Sequence, residues 1–192
     1  MKTQLLAAVA ALALTSAPAF AEPEKYILEA SHSQILFSYD HLGFSRTYNM
    51  FAGINGEIMF DQVAPENSSV SVSMPVMSLF TGWDERFEAF MSAEFFEAEE
   101  GDMITFVSTG IEVTGESTAN ITGDLTINGM TKSVVLDAKL NQAAIHPMTG
   151  KDFAGFDATT TILRSDYGLG LFAPNVSDEI DVVISIEAEK AG

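Results

Sequence analysis

The stretch 119-ANITGDLTINGMTKSVVLDAKL-140 decides the fold class. On each side of Asn128-Gly129, apolar residues recur with a period of two: Ile121, Leu125 and Ile127, then Val134, Leu136, Ala138 and Leu140. A period of two is that of a β-strand with one buried face. Asn-Gly between two such runs is the strongest short-range hairpin signal. The stretch therefore predicts a pair of antiparallel strands near 119–127 and 131–140.

Similar alternation recurs from Tyr26 to the end of the chain, including 35–39, 70–76, 156–162 and 180–188. Turn residues separate these runs, so we expect about eight antiparallel strands in a barrel or a sandwich. The segment 84-DERFEAFMSAEFF-96 breaks the pattern, since its apolar residues lie at helical spacing: Phe87, Phe90, Met91 and Phe95. This spacing predicts one short amphipathic helix, which either covers an opening of the barrel or plugs its core.

The first residues have the features of a cleaved secretory signal peptide. Lys2 precedes the apolar run Leu5–Leu14, and Ala19-Phe20-Ala21 supplies small residues for cleavage. The run is shorter than the roughly 20 residues that span a bilayer. We therefore expect residues 1–21 to be removed and residues 22–192 to form one exported domain without stable membrane insertion.

The composition limits the partners of the chain. Its 27 acidic residues against 9 basic ones give a net charge of −18, which disfavours binding to nucleic acid or to anionic membrane surfaces. The acidity also fits a salty habitat, and the sequence does not separate these interpretations. Because the chain has no cysteine, thiol catalysis and disulfides are excluded.

No catalytic constellation is visible in the sequence. His32 and His41 lie an odd number of residues apart, which places them on opposite faces of a regular strand. Ser31 and Ser33 flank His32, but adjacent strand residues point apart, and no Gly-x-Ser-x-Gly elbow occurs. We therefore expect no enzyme activity, no metal site and no cofactor.

The aromatic residues are the unusual feature of the composition. The chain has 14 Phe, 4 Tyr and 1 Trp, concentrated in 37–60 and 80–106. Such side chains can fill a small barrel completely, or they can line a tube for an apolar ligand. Composition alone leaves both interpretations open.

A series of short motifs extends across nearly the whole chain: 32-HSQILF-37, 41-HLGFS-45, Gly56 to Asp61, 68-SSV-70, Ser78, Thr81, Arg86, 95-FF-96, 105-TF-106, 108-ST-109, 123-GDLTINGMTK-132, 154-AGF-156, 164-RSDYG-168 and 177-SDEI-180. In this order they resemble the YceI-like family of exported bacterial lipid-binding proteins. The resemblance implies an elongated, lipocalin-like antiparallel β-barrel in the periplasm or medium. It also implies a long apolar channel that encloses a polyisoprenoid, an isoprenoid quinone or a fatty amide, for carriage or storage.

The sequence departs from the family pattern in its polar groups. Where members read Arg-Asp-x-His-Leu-Arg, this chain has 86-RFEAFM-91, which keeps only the first arginine. A diphosphate head group needs several cations or backbone donors, and the only arginines are Arg46, Arg86 and Arg164. We therefore expect the ligand to be a neutral or weakly polar lipid. For Arg46, an ion pair at the protein surface is a better interpretation than contact with a ligand.

The resemblance and the aromatic pattern together suggest a set of ligand-binding residues. The expected channel lining is Phe37, Tyr39, Leu42, Phe44, Phe51, Phe87, Phe90, Phe96 and Phe106, with Arg86, then Arg164 and His41, as candidates for the ligand's polar end. Two alternatives remain at this point: an enzyme acting on an isoprenoid-like substrate, and a solid-core exported stress-related protein. A homodimer is also left open.

Overall fold

The structure, a computed structural model, describes residues 22–192, so the predicted signal peptide lies outside the described residues. Within that part of the chain, nine strands and one α-helix form. The strands are β1 (Glu24–His41), β2 (Ser45–Phe51), β3 (Asn55–Phe60), β4 (Ser69–Pro75), β5 (Met103–Val113), β6 (Thr118–Ile127), β7 (Met130–Ile145), β8 (Asp152–Leu163) and β9 (Glu179–Lys190); the helix is α1 (Asp84–Met91). Single 3₁₀ turns occur at Pro65–Asn67, Val76–Ser78 and Arg164–Tyr167.

The strands close into an antiparallel barrel. From β3 to β9 each strand pairs with the next along the chain, and β9 pairs back with β1. β2 and β3 share one edge of β1, because Phe51 pairs with Ile35 and Ile58 pairs with Tyr26. They therefore act as one interrupted strand in a ring of eight, which confirms the predicted barrel.

The hairpin at Asn128-Gly129 is confirmed. Ile127 pairs directly with Met130, which leaves a two-residue loop between β6 and β7. Asn128 has φ 54° and Gly129 has φ 71°, the left-handed values that a type I′ turn requires at both positions. The turn sequence thus sets the register of the two strands.

Three β-bulges shift the register along the long strands. They lie at 29–34 in β1, 108–110 in β5 and 140–142 in β7. An extra residue moves the following side chains to the other face of the sheet. In β1 the inward face accordingly changes from even-numbered residues such as Leu28 to odd-numbered ones such as Ile35.

The helix is shorter than the sequence predicts. It ends at Met91 instead of reaching residue 96, and Ser92 follows in an extended conformation. The Ser92 hydroxyl donates a hydrogen bond of 2.7 Å to the Ala89 carbonyl, which takes over an acceptor at the helix end. Phe95 and Phe96 therefore lie in the turn after α1 and not on the helix.

The two ends of the barrel differ. The helix-side end carries α1 together with the segments 76–102 and 164–178, whereas short turns at 61–68, 114–117 and 146–151 close the turn end. Among residues 22–192 no helix is long and apolar enough to cross a bilayer.

Candidate functional site

The interior of the barrel is a cavity of about 800 Å³. His41 and Leu28 of β1 both lie on its wall, and, with the bulge at 29–34 allowed for, they are roughly 33 Å apart at about 3.3 Å per residue. Trp83 and Arg86 line it at the helix-side end, and Gln62 lines it toward the turn end. The cavity therefore extends along most of the barrel.

Aliphatic side chains form most of the wall between the two ends. The inward residues of the strands supply them: Ile58, Val70, Val72, Ile104, Ile121, Leu125, Val134, Leu136, Ile162, Val182, Ile184 and Ile186. The expected lining was aromatic apart from Leu42, and it did not include these aliphatic residues. The period-two alternation was the signal that could have identified them, since one face of each strand must point inward.

The structure brings most of the predicted site residues to the cavity. Nine lie on its wall: Phe37, Tyr39, His41, Phe51, Arg86, Phe90, Phe96, Phe106 and Arg164. Leu42, Phe44 and Phe87 do not. Contact of the nine with a ligand remains a prediction.

Leu42 and Phe44 lie outside because the β1–β2 connection is a tight turn. Leu42 has φ 59° and Gly43 has φ 73°, and the Gly43 amide donates to the Asp40 carboxylate at 2.7 Å. The turn directs Phe44 into solvent, where 89% of its surface is exposed. Phe87 is half-buried and packs against the hydrophobic core.

Aromatic contacts attach the helical segment to the wall. The rings of Phe37 and Phe51 stack with centroids 5.5 Å apart, and Phe96 meets Phe51 edge-on at 6.5 Å. Phe90 of α1 lies 6.3 Å from Tyr39 of β1. These contacts hold the helical segment over the helix-side end of the cavity.

The side chain of Arg164 makes structural hydrogen bonds to the backbone. It is 8% exposed, and its guanidinium donates to four backbone carbonyls: Ser177 at 2.8 Å, Leu171 at 2.7 Å, Val176 at 2.8 Å and Leu169. Burial lowers the pKa of Arg164 and the nearby Asp178 opposes this, but a guanidinium in a protein keeps its charge. Arg164 therefore clasps the segment between β8 and β9, and few of its donors remain for a ligand.

The other arginines lie at the mouth and on the outside. Arg86 is half-buried, donates to the Thr81 carbonyl at 3.0 Å and lies 5.7 Å from the centre of the Trp83 ring. Arg46 is on the outer face, where it bonds the Ser38 hydroxyl at 2.9 Å and forms an ion pair with Asp181. Arg86 is thus the guanidinium best placed to meet a ligand as it enters.

A polar cluster that the sequence analysis did not identify lies at the bulge of β1. Among residues 22–192, Glu29, His32 and Glu187 bring possible metal ligand atoms within 4.8 Å of one another. The Glu29 carboxylate already accepts hydrogen bonds from the Ser31 hydroxyl at 2.6 Å and from the His32 amide at 2.9 Å. Bonds from Ser31 first, then from the His32 side chain, lower the pKa of Glu29 to about 2. The hydrogen bonds of Glu29 lie within the bulge of β1, and none of the three cluster residues lies on the cavity wall.

Comparison with known proteins agrees with this architecture. The family model described as YceI-like domain matches residues 26–188. A UPF0312 protein of Ectopseudomonas mendocina (strain ymp) is 36% identical over 187 residues, which cover 97% of each chain.

Solved structures share the fold. The Campylobacter jejuni YceI protein superposes with a TM-score of 0.72 at 28% identity, over 80% of this chain and 90% of that one. A polyisoprenoid binding domain from Saccharophagus degradans, described as implicated in plant cell wall breakdown, superposes with a TM-score of 0.65 at 14% identity. It covers 86% of this chain and 98% of that domain.

Proposed function

Because the chain belongs to the YceI-like domain family, we propose that it is a binding protein that encloses a long-chain, predominantly apolar lipid within its barrel. One observation carries the proposal: the barrel interior is a cavity of about 800 Å³ that side chains leave open along most of its length. A solid-core barrel has no such space. The polyisoprenoid binding domain of Saccharophagus degradans, which shares the fold, supports the same ligand class.

The apolar wall favours a ligand with a long hydrocarbon tail. Each buried CH₂ contributes about 0.8 kcal/mol, whereas association costs at least about 4 kcal/mol in lost translational and rotational freedom. Roughly five methylenes therefore offset the minimum cost, and only a longer tail gives useful affinity. We expect prenyl or acyl chains to bind with an affinity that rises with chain length until the cavity is full.

The charged groups favour a ligand without a diphosphate. A diphosphate needs several free cationic donors, but Arg164 already serves four carbonyls and Arg46 lies outside the barrel. Of the three arginines, only Arg86 lies at the helix-side end of the cavity with several guanidinium N–H donors that make no other hydrogen bond within residues 22–192. A neutral head group, such as that of a quinone or an unphosphorylated isoprenoid, is the better match.

The family context favours a carrier or store in the periplasm or the medium over an enzyme. That location rests on residues 1–21, which have the pattern of a signal peptide. On the cavity wall, no nucleophile forms a hydrogen bond to a histidine or carboxylate base among the described residues.

Extraction of bound lipid tests the proposal. The exported protein is purified from its native source without detergent, extracted with organic solvent, and analysed by mass spectrometry against the same preparation of an Ala138→Phe variant. Ala138 is a small residue on the cavity wall, 6% exposed. We expect a neutral long-chain lipid near one per protein, and less in the variant. Recovery of no lipid, or mainly of a polyprenyl diphosphate, would refute the proposal in whole or in its head-group part.

A further inference from the structure

Two carboxylates face each other on the strands that close the barrel. Glu29 of β1 pairs directly with Glu187 of β9, so their side chains lie on the same face of the sheet, where like charges oppose strand pairing. In the part of the chain that the structure describes, neither carboxylate forms an ion pair with a lysine or an arginine. The next carboxylate on this face of β9 does, since Glu189 pairs with Lys151. The pair of Glu29 and Glu187 therefore lacks a cation where its neighbour has one.

His32 supplies a nitrogen ligand beside the two carboxylates. Its Nδ1 lies 2.8 Å from Oε2 of Glu29, and ligand atoms of His32, Glu29 and Glu187 all lie within 4.8 Å of one another. Because a carboxylate only accepts hydrogen bonds, Nδ1 of a neutral His32 carries the proton in this contact. The side chains of His32 and Glu29 are 68% and 31% exposed, so an ion from solvent can reach them.

The backbone of the bulge fixes the positions of the two glutamates. The hydroxyl of Ser33, which is 3% exposed, donates to the Glu29 carbonyl at 2.7 Å and accepts from the Glu187 amide at 3.2 Å. On the other side of Glu187, the paired residue of β8 is Gly155, where an added Cβ would meet nothing closer than 3.9 Å. The surface beside the three side chains therefore has room for the water ligands of an ion.

We propose that Glu29, His32 and Glu187 form a binding site for a divalent transition metal ion such as Zn²⁺. One imidazole nitrogen and two carboxylate oxygens are ligands that Zn²⁺ accepts, whereas Ca²⁺ and Mg²⁺ prefer oxygen alone. Two ligand atoms of a tetrahedral zinc ion lie about 3.3 Å apart, so Nδ1 and the Glu29 oxygen need to separate by only about half an ångström. The imidazole proton moves to Nε2 as the ion binds Nδ1, and water completes the coordination.

An ion at this site joins the first strand of the barrel to the last. β1 and β9 come from opposite ends of the chain, and their pairing closes the ring. The unfolded chain does not hold these ligands together, so the ion binds the folded protein preferentially and stabilises it. Because none of the three residues lies on the cavity wall, the site goes beyond the proposed lipid binding and does not depend on it.

Calorimetric titration of the metal-free, delipidated mature protein with zinc chloride at pH 7.5 tests the site. We expect one zinc ion per chain, and much weaker binding of calcium chloride and magnesium chloride. Loss of an outer partner of a metal ligand lowers metal affinity by about 10- to 100-fold, so His32→Gln, which removes a ligand itself, should weaken zinc binding by about 10-fold or more. Glu187→Gln should weaken it to a similar degree, and circular dichroism checks that both variants fold.

Glu189→Gln is the matched control for Glu187→Gln. It makes the same charge change two residues further along β9, but Glu189 is paired with Lys151 and is not one of the three ligands. His146→Gln removes a histidine from the turn between β7 and β8, outside the cluster. Both controls should bind zinc like wild type. A second readout is the melting temperature, which zinc should raise in wild type and in Glu189→Gln but not in His32→Gln.

Three results would overturn the site. Wild type that binds no zinc would do so directly. Equal weakening by Glu189→Gln and Glu187→Gln would mean that the ion is attracted only by the general negative charge of the surface. Unchanged zinc binding in His32→Gln would show that the imidazole is not a ligand. Binding of the neutral dye Nile red to the same variants measures lipid binding separately, so failure of the metal site is distinguishable from failure of the proposed function.

Discussion

Replacing Arg164 with methionine removes the cation that holds the segment between β8 and β9. Methionine keeps much of the side chain's apolar stem but offers no donor. The carbonyls of Leu169, Leu171, Val176 and Ser177 then lose their shared partner. We expect the variant to be strongly destabilised, although the cavity wall is otherwise unchanged.

The magnitude follows from those four hydrogen bonds. A hydrogen bond to a charged group contributes about 1.5–3 kcal/mol. The contributions are not additive, since some freed carbonyls will reach water and the variant no longer desolvates a guanidinium. If the equivalent of two of the four bonds is lost, the expected cost is about 3–6 kcal/mol. For a domain of this size each kcal/mol lowers the melting temperature by about 2–4 °C, so the expected drop is roughly 6–24 °C.

Urea and thermal denaturation, followed by circular dichroism, measure this loss on the lipid-free protein. Arg164→Lys should fall between wild type and methionine, because one ammonium cannot reach four carbonyls. Arg46→Met is the control, since Arg46 is exposed and its ion pair with Asp181 is screened by water. If Arg164→Met were no less stable than Arg46→Met but lost bound lipid, Arg164 would be a ligand group and the clasp would be wrong.

Three further predictions concern acid stability, packing and the cavity. The Glu29 pKa of about 2 lies below its ordinary value of 4.5, so the contribution of the Glu29 carboxylate to folding stability is complete above pH 4.5 and is lost as pH falls toward 2. Acid unfolding followed by fluorescence should therefore be less steep between pH 4.5 and 2 for Glu29→Gln than for wild type. An unchanged profile would contradict the assignment of this low pKa to Glu29. Gly123→Val should lower the melting temperature markedly, because a Cβ there would lie 2.3 Å from the Phe106 ring and 2.7 Å from a backbone oxygen; a neutral effect would mean that the ring moves freely. Ala138→Phe should weaken Nile red binding, whereas Val135→Phe on the outer face of the same strand, where the native residue is 50% exposed, should not; equal effects of the two changes would place the dye outside the cavity.

The hairpin at Asn128-Gly129 could be read from sequence because its information is local. Two positive φ values and two alternating runs are properties of adjacent residues, and they suffice to pair β6 with β7. The helix was located for the same reason, since its apolar spacing is visible in the chain. Its end was missed because the Ser92 hydroxyl, which bonds the Ala89 carbonyl, competes with continued helix.

Predicted site residues reach the cavity wall where they lie in a regular strand and miss it where the strand is interrupted. Phe37, Phe51 and Phe106 lie in regular parts of β1, β2 and β5 and reach the wall as expected. Phe44 does not, because a turn with left-handed backbone interrupts the alternation just before it. Arg164 reaches the wall, but its hydrogen bonds are made to a segment whose path the sequence did not reveal.

The sequence by itself determined an antiparallel all-β chain, its turns and the apolar face of each strand, because these depend on neighbours within a few residues. Only the tertiary structure decided that the interior is hollow. Closure depends on β9 pairing with β1 across the whole chain, and the bulges at 29–34, 108–110 and 140–142 choose which side chains then face inward. Whether those side chains meet or leave a cavity depends on all eight strands together, and no local sequence pattern specifies this.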